Sequence, residues 1–106
     1  MGSIQINTWD VCLAEVGFDE IFEIKIRPVL VVDKAMFVLD CLMMTSQPPR
    51  FGDYELQYWK EAGLSKPTVV RISKRLNLSK EAILRKFGSL QPADIVEIKK
   101  MLRIKG

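Results

Sequence analysis

Short apolar runs separated by turn-forming residues recur along most of the chain. Residues 9–16 and 22–26 alternate apolar and polar side chains, which is typical of half-buried strands. Residues 29–32 are continuously apolar and include three valines, which indicates a strand buried on both faces. We expect residues 22–32 to form one long bent strand. The periodicity therefore predicts a mainly β protein.

Two further strands are predicted at 35–45 and 68–73, with turns at 17–20 and 33–34 and a proline-rich loop at 48–52. Residues 54–62 are predicted to form a short helix, with Asp53 as its N-cap and Gly63 after its end. Its aromatic residues, Tyr54, Tyr58 and Trp59, suit either stacking on unpaired bases or closing the end of a small barrel.

Two patterns near the C-terminal end of the sequence favour helices. Ser79 as N-cap, with Glu81 in the first turn and Gly88 beyond Phe87, favours a short helix at 80–87. Propensity in so short a segment is weak evidence. A second helix begins at Pro92, and its apolar stripe consists of Ile95, Ile98, Met101 and Leu102. We interpret it as a packing helix with a basic, solvated face.

The 106 residues are enough for one domain, spanning 1–106, in which Met1-Gly2-Ser3 looks like a cloning remnant. Apolar content of 48% and charge of 27% fit a soluble globular protein. No apolar run approaches the roughly 20 residues needed to cross a bilayer, and no secretory signal is evident. We therefore expect a cytoplasmic protein that does not associate with membranes.

Charge is distributed unevenly along the sequence. Residues 1–53 contain four Lys or Arg and eight Asp or Glu, whereas residues 54–106 contain twelve and five. This asymmetry suits a basic face that binds a polyanion, although an uneven solvated surface gives the same count.

The absence of histidine removes the usual acid–base group at neutral pH and excludes Ser-His-Asp and Cys-His catalysis. Two cysteines, Cys12 and Cys41, are too few for a zinc site, and we expect both to be reduced, buried thiols rather than a disulfide. No glycine-rich phosphate-binding motif is present. We expect a protein that needs neither a metal nor a cofactor.

The most informative stretch is Arg27-Pro28 at the head of the valine-rich run. Pro28 holds Arg27 extended and removes a backbone donor, which predicts a position at a sheet edge or rim. A guanidinium fixed there can bind a phosphate or carboxylate through two parallel hydrogen bonds. An ordinary surface ion pair is the alternative.

Several motifs, taken in order, resemble those of the MazF/PemK family of toxins, which are small mRNA-cutting endoribonucleases. They are Asp10-Val11, Arg27-Pro28-Val29-Leu30-Val31, a strand ending in Thr45-Ser46, Val69-Val70-Arg71, and Lys86-Phe87-Gly88-Ser89-Leu90 before a final helix. The likeness extends from about residue 9 to residue 102. It implies a small SH3-like barrel of the MazF/CcdB type, with a C-terminal helix. It also implies one helical turn followed by a strand at 83–89, which we favour over the helix at 80–87.

The resemblance implies that Arg27 and Thr45 catalyse RNA cleavage without a metal, with Ser46 as a possible substitute for Thr45. The products would be a 2′,3′-cyclic phosphate and a 5′-hydroxyl. A strand-end hydroxyl that satisfies local backbone groups is the alternative role for Thr45. Candidate RNA-binding residues are Ser46, Arg71, Lys25, Arg50 and Lys74.

Two positions depart from the family pattern. Ser73 stands where some members have an acid after the second arginine, so Arg71 either binds phosphate or is a structural cation. Trp9 replaces the usual glycine before Asp10, which predicts a differently shaped groove nearby.

The expected partners also follow from the resemblance. They are single-stranded RNA, a second copy of the chain, and an acidic antitoxin that is partly disordered until it binds. The alternative is a non-catalytic module on the same barrel, either a CcdB-like topoisomerase inhibitor or an inactive RNA-binding relative.

Overall fold

The computed structural model describes residues 4–18 and 23–105, without the side chains of residues 18, 104 and 105. These residues form the strands β1 (Asp10–Phe18), β2 (Glu23–Lys34), β3 (Val38–Thr45), β4 (Tyr54–Glu55), β5 (Val69–Ser79) and β6 (Ile83–Ser89), followed by the helix α1 (Pro92–Lys105). The strands make one antiparallel sheet in the order β4-β5-β3-β2-β1-β6, curled into a half-barrel. The predicted fold class is confirmed.

β2 is one of the two central strands of the sheet, and it is continuous as predicted. Val29, Leu30 and Val31 are all fully buried, because the sheet is covered on both faces. Leu30 packs in the cluster that includes Ile98 of α1, whereas Val29 and Val31 pack in a second cluster with Cys12 and Cys41. A run of β-branched residues without polar alternation is what a strand with two buried faces requires.

The N-terminal half of β2 extends beyond β3. The β2–β3 pairing stops at Val29↔Met43, whereas the β1–β2 pairing continues through Leu13↔Pro28 to Phe18↔Glu23. Pro28 therefore lies where the ladder with β3 stops, so its missing donor is tolerated. Arg27 lies at a rim within the sheet rather than on an edge strand.

The predicted helix at 54–62 is wrong. Tyr54 and Glu55 instead pair with Val70 and Val69, and turns follow at 59–63. The reason is that partners distant in sequence take the backbone donors. Leu56 N–H bonds to the carbonyl of Thr68, and the N–H groups of Gln57 and Tyr58 bond to the carboxylate of Asp94. Tertiary bonds thus override local helix propensity.

Two predicted turns also need correction. Residues 33–34 belong to β2, and the reversal occurs at 35–37, where Ala35 N–H bonds to Val38 O at 2.8 Å. Gly17 belongs to β1, and the rest of the predicted 17–20 turn includes residues 19–20, which lie outside the described residues. The 35–45 and 68–73 strands are observed as β3 and the longer β5.

The structure decides between the alternatives for residues 80–89. A single 3₁₀ turn at Lys80–Ala82 leads directly into β6, as the family resemblance implied, so no helix forms at 80–87. β6 then pairs with β1 along the side opposite β2.

α1 begins at Pro92 and packs its apolar stripe on the sheet. Ile98 is fully buried, and Ile95, Met101 and Leu102 pack around the same cluster, as predicted. The described residues include no helix with the length and apolarity needed to cross a membrane.

The segment between β4 and β5 is held against β6 by close backbone contact. Gly63 has φ of +93°, and a Cβ there would overlap the carbonyl of Phe87. Gly88 has a matching constraint, since its Cβ would lie 2.5 Å from the carbonyl of Ala62. Glycine suits both positions because it has no side chain to clash. These contacts place residues 64–68 beside Phe87.

Trp9 has φ of +74°, a left-handed conformation that glycine adopts without strain and bulky residues rarely adopt. Its backbone is fixed on both sides, because its N–H bonds to Val31 O at 2.6 Å and its carbonyl accepts a bond from Leu90 N–H at 2.8 Å. The indole packs against the main core cluster, with the ammonium of Lys99 5.8 Å from the ring centroid.

Candidate active site

An open pocket of about 550 Å³ lies at the end of the sheet where β2 leaves β3. Its walls come from the start of β2, the end of β3 and residues 64–68, and β1 and β6 each add one apolar side chain. The polar lining consists of Arg27, Thr45, Ser46, Gln47, Ser65, Lys66 and Thr68. The apolar lining consists of Leu13, Ile26, Pro28, Met44, Leu64 and Phe87. The structure thus brings Arg27, Thr45 and Ser46 together, as predicted.

Strand register explains why Arg27 and Thr45 meet. The ladder of Val31↔Cys41, Leu30↔Leu42 and Val29↔Met43 steps by one residue per strand. Continuing it two residues further places Arg27 opposite Thr45. Side chains directly opposite in an antiparallel pair have Cβ atoms about 5 Å apart. The ladder stops before this point, so the two side chains face an open space.

Arg27 is half-buried, and its guanidinium is not neutralised by any carboxylate in the part of the chain that the structure describes. Its Nη1 donates a hydrogen bond to its neighbour's carbonyl, Ile26 O, at 3.2 Å. That single contact leaves most of the five guanidinium N–H groups for a ligand. The surface ion pair considered as the alternative is not observed among the described residues.

The Thr45 hydroxyl makes the local backbone contact considered for it, and its catalytic role stays a prediction. Its Oγ1 accepts a hydrogen bond from Gln47 N–H at 3.1 Å, which is the local backbone contact expected at a strand end. That bond uses a lone pair and leaves the hydroxyl proton available to a ligand oxygen. Ser46, the next residue, is exposed in the same lining.

Arg71 lies outside this lining and is held in an ion pair. Its Nη1 lies 2.7 Å from Oδ2 of Asp53, and the two side chains are 13% and 5% exposed. The same carboxylate oxygen accepts a bond from Arg50 N–H at 2.8 Å. This geometry matches the structural cation considered for Arg71.

The remaining predicted RNA-binding residues lie outside the pocket lining. Lys25 is on β2, two residues before Arg27, and pairs with Glu23 at 3.2 Å. The side chain of Arg50 is exposed in the loop before β4. Lys74 is exposed where β5 bulges between its pairings with Met43 and Leu42. Their binding role stays a prediction.

Four of the pocket's polar residues were missed from the sequence: Gln47, Ser65, Lys66 and Thr68. A signal was present, since Lys66-Pro67 precedes a valine run just as Arg27-Pro28 does. Thr68 is buried, and its hydroxyl donates to Lys66 O at 2.9 Å. Its proton is therefore already used, in contrast to that of Thr45.

The aromatic cluster lies outside the pocket lining. The hydroxyl of Tyr54 donates to Oδ1 of Asp94 at 2.6 Å, and burial, reinforced by this bond, raises the pKa of Tyr54 above its ordinary range. Trp59 packs on the main core cluster, while Tyr58 remains partly exposed. The contacts of Tyr54 and Trp59 favour the barrel-closing role over base stacking.

The buried thiols are poor nucleophiles. Burial raises the pKa of Cys12 to about 11 and that of Cys41 to about 12. Both are free rather than joined in a disulfide, as expected. Since the thiolate is the reactive form, neither competes for a catalytic role at neutral pH.

The pocket's chemistry suits a phosphodiester. Two cationic residues line it, together with three hydroxyl residues besides Thr68, and none of its lining residues is acidic. Guanidinium and hydroxyl donors bind phosphate oxygens through charge-assisted hydrogen bonds. Among the described residues, no three His, Cys, Asp or Glu side chains come together in a group that could hold a metal.

Solved structures of two mycobacterial endoribonucleases and one mycobacterial toxin share this fold. An endoribonuclease in complex with its cognate antitoxin, from a mycobacterial species, superposes with a TM-score of 0.74 at 15% identity, covering 94% of this chain and 93% of that one. A second mycobacterial endoribonuclease gives 0.72 at 13% identity, covering 98% and 91%. The Mycobacterium tuberculosis toxin MazF-mt6 gives 0.63 at 16% identity, covering 86% and 91%.

A comparison with curated proteins finds no match. The model of one family, described as the PemK-like, MazF-like toxins of type II toxin–antitoxin systems, matches residues 8–105. That span includes every pocket residue and all seven elements of the fold. The chain therefore belongs to the PemK/MazF-like toxin family.

Proposed function

We propose that this protein is a toxin endoribonuclease that cuts single-stranded RNA without a metal ion. The observation that carries the proposal is the convergence of Arg27 and Thr45 in one open pocket that has no acidic lining residue. Family membership and the likeness to the structures of two mycobacterial endoribonucleases support the same activity.

In the proposed reaction, the ribose 2′ oxygen bonds to the adjacent phosphorus as the bond from phosphorus to the 5′ oxygen breaks. The 2′-hydroxyl loses a proton and the departing 5′ oxygen gains one, so the products are a 2′,3′-cyclic phosphate and a 5′-hydroxyl. Arg27 neutralises the charge that builds on the non-bridging oxygens. Thr45 donates its hydroxyl proton in a hydrogen bond to the same group and helps to hold the strand in line.

The substrate is expected to be unpaired, because bases are read by proteins when they are splayed out of a helix. The basic second half of the chain supports binding to a polyanion. We also propose a homodimer, a cytoplasmic location and inhibition by an acidic antitoxin. The mycobacterial structure solved with its cognate antitoxin supports the last of these.

Incubating the purified protein with a long unstructured RNA in EDTA tests the proposal. We expect fragments with cyclic phosphate and 5′-hydroxyl ends, and loss of cleavage in both Arg27→Ala and Thr45→Ala. Arg75→Ala is the matched control, because that arginine is exposed and its ion pair with Asp40 is long, at 3.8 Å. Intact RNA with the wild-type protein, combined with inhibition of a topoisomerase, would contradict the proposal and favour the CcdB-like alternative.

A further inference from the structure

Lys66 supplies a second cation to the pocket, from the side away from Arg27. It lies on the segment between Leu64 and Thr68, which forms the third wall. The Lys66 backbone is fixed by the hydrogen bond from Thr68, whose own carbonyl accepts the N–H of Leu56. A long side chain thus projects from an anchored backbone.

The sheet order defines how the two cations are arranged. β3 lies between β2 and β5, and Thr45 at its end pairs with Val69. Arg27 comes opposite Thr45 from the β2 side, and Lys66 precedes Val69 by three residues on the β5 side. Neighbouring strands are about 4.8 Å apart, so the backbones carrying Arg27 and Lys66 are about 10 Å apart or more. Two such cations can hold two different phosphates.

The charge of Lys66 is not neutralised by any carboxylate in the described part of the chain. Among the residues that the structure describes, its ammonium makes no ion pair, and no pocket-lining residue is a carboxylate. An ammonium is a compact charge with three rotatable donors, so it binds phosphate without the fixed orientation of a guanidinium. Because Lys66 is exposed, its attraction to a phosphate is screened by salt.

We propose that Lys66 binds the phosphate next to the one held by Arg27, so that the RNA backbone crosses the end of β3. Lys66 then contributes to substrate affinity, whereas Arg27 acts on the reacting phosphate. This inference rests on the proposed function, because it takes RNA as the ligand of the same pocket.

The salt dependence of binding tests the inference. Single-stranded DNA is the probe, because it lacks the 2′-hydroxyl and remains uncut. For each phosphate contact, log K falls with log [salt] by about 0.7 for a single strand. We expect Lys66→Met to reduce that slope by about 0.7 and to weaken binding about fivefold at 0.1 M salt, while Lys66→Arg restores both.

Lys80→Met is the matched control. Lys80 is exposed and lines a separate pocket together with Lys34. Lys34 is seven residues, or about 23 Å, from Arg27 along β2. The Lys80→Met variant should therefore keep the wild-type salt dependence of binding. The KM for RNA cleavage by Lys66→Met should rise by about the same factor as the loss of affinity, whereas Lys80→Met should keep the wild-type KM.

Two outcomes would overturn the inference: a Lys66→Met slope equal to that of the wild type, or slower cleavage at saturating RNA with an unaltered slope. Failure of the wild-type protein to cut RNA is a different result. It defeats the proposed function, whereas the slope still reports on Lys66.

Discussion

Arg27 and Arg71 occupy similar sequences and have different environments. Each arginine lies between two apolar residues in a strand of the same sheet. Within the described residues, Arg27 donates a hydrogen bond only to a neighbouring carbonyl, and it lines the open pocket. Arg71 is bound to a buried carboxylate at 2.7 Å. The difference shows that the availability of an arginine depends on whether a carboxylate lies within reach.

That carboxylate belongs to Asp53, 18 residues earlier in the chain. A paired guanidinium keeps its charge, but its donors are occupied and its field is largely cancelled. An unpaired one in a half-open pocket keeps both its donors and its field for an incoming anion. Arg27 should therefore affect chemistry, and Arg71 should affect stability.

The largest effect is expected from Arg27→Met. Loss of the donor that neutralises the reacting phosphate should slow single-turnover RNA cleavage by about 10² to 10³-fold. The urea midpoint should not fall, because Arg27 makes no ion pair in the described structure. Arg75→Met serves as the control and should cleave at the wild-type rate. Equal losses in the two variants would remove the distinction between Arg27 and an ordinary surface cation.

Arg71→Met should have the opposite profile. It leaves Asp53 charged and almost fully buried, which should lower the free energy of unfolding by about 3 kcal/mol. Urea denaturation measures this loss, and cleavage per folded molecule should persist. Adding Asp53→Asn should recover part of the stability, since the amide oxygen still accepts from Arg50 N–H. If Arg71→Met cleaved RNA slowly and kept the wild-type stability, Arg71 would instead contact the substrate.

The two threonines of the pocket extend the comparison to hydroxyls. Thr45→Val removes a hydrogen-bond donor to the phosphate and should lower the rate of cleavage at saturating RNA by about tenfold to a hundredfold. Thr68→Val should cost about 1 kcal/mol in unfolding free energy without changing that rate, because its proton is already given to Lys66 O. Rapid-quench kinetics and urea titrations of both variants provide the measurements. Thr45→Ser should retain activity.

The smallest effects are expected for Lys25, Arg50 and Lys74, each changed to Met. All three lie outside the pocket lining, so each should weaken binding to single-stranded DNA by at most about fivefold at 0.1 M salt. Fluorescence anisotropy can resolve a change of this size. If any one of these variants lost as much cleavage rate as Arg27→Met, the RNA would have to lie outside the pocket.

The parts of this molecule that could be predicted from sequence are those whose cause is local. The alternation of β1 and β2 and the valine run predict the centre of the sheet. The meeting of Arg27 and Thr45 was implied by the family resemblance, and the antiparallel register of two neighbouring strands explains it. The apolar stripe of α1 is similarly local.

Features that depend on distant partners could not be predicted. The 54–62 segment has good helix signals, yet Asp94, 36 to 40 residues away, takes its donors. The pocket wall that carries Lys66 depends on Gly63 meeting the backbone of Phe87. Nothing in the local pattern indicates these pairings, because a long-range contact depends on how the whole sheet curls.

The fully buried Asp94 has a consequence for the order in which the protein matures. This one carboxylate on the first turn of α1 accepts three hydrogen bonds from residues 54–58, which lead into the third wall of the pocket. A ribosome synthesises α1 after every strand of the sheet. The third wall is therefore fastened last, because residues 54–58 lack the partner for three hydrogen bonds until α1 has been made and has docked.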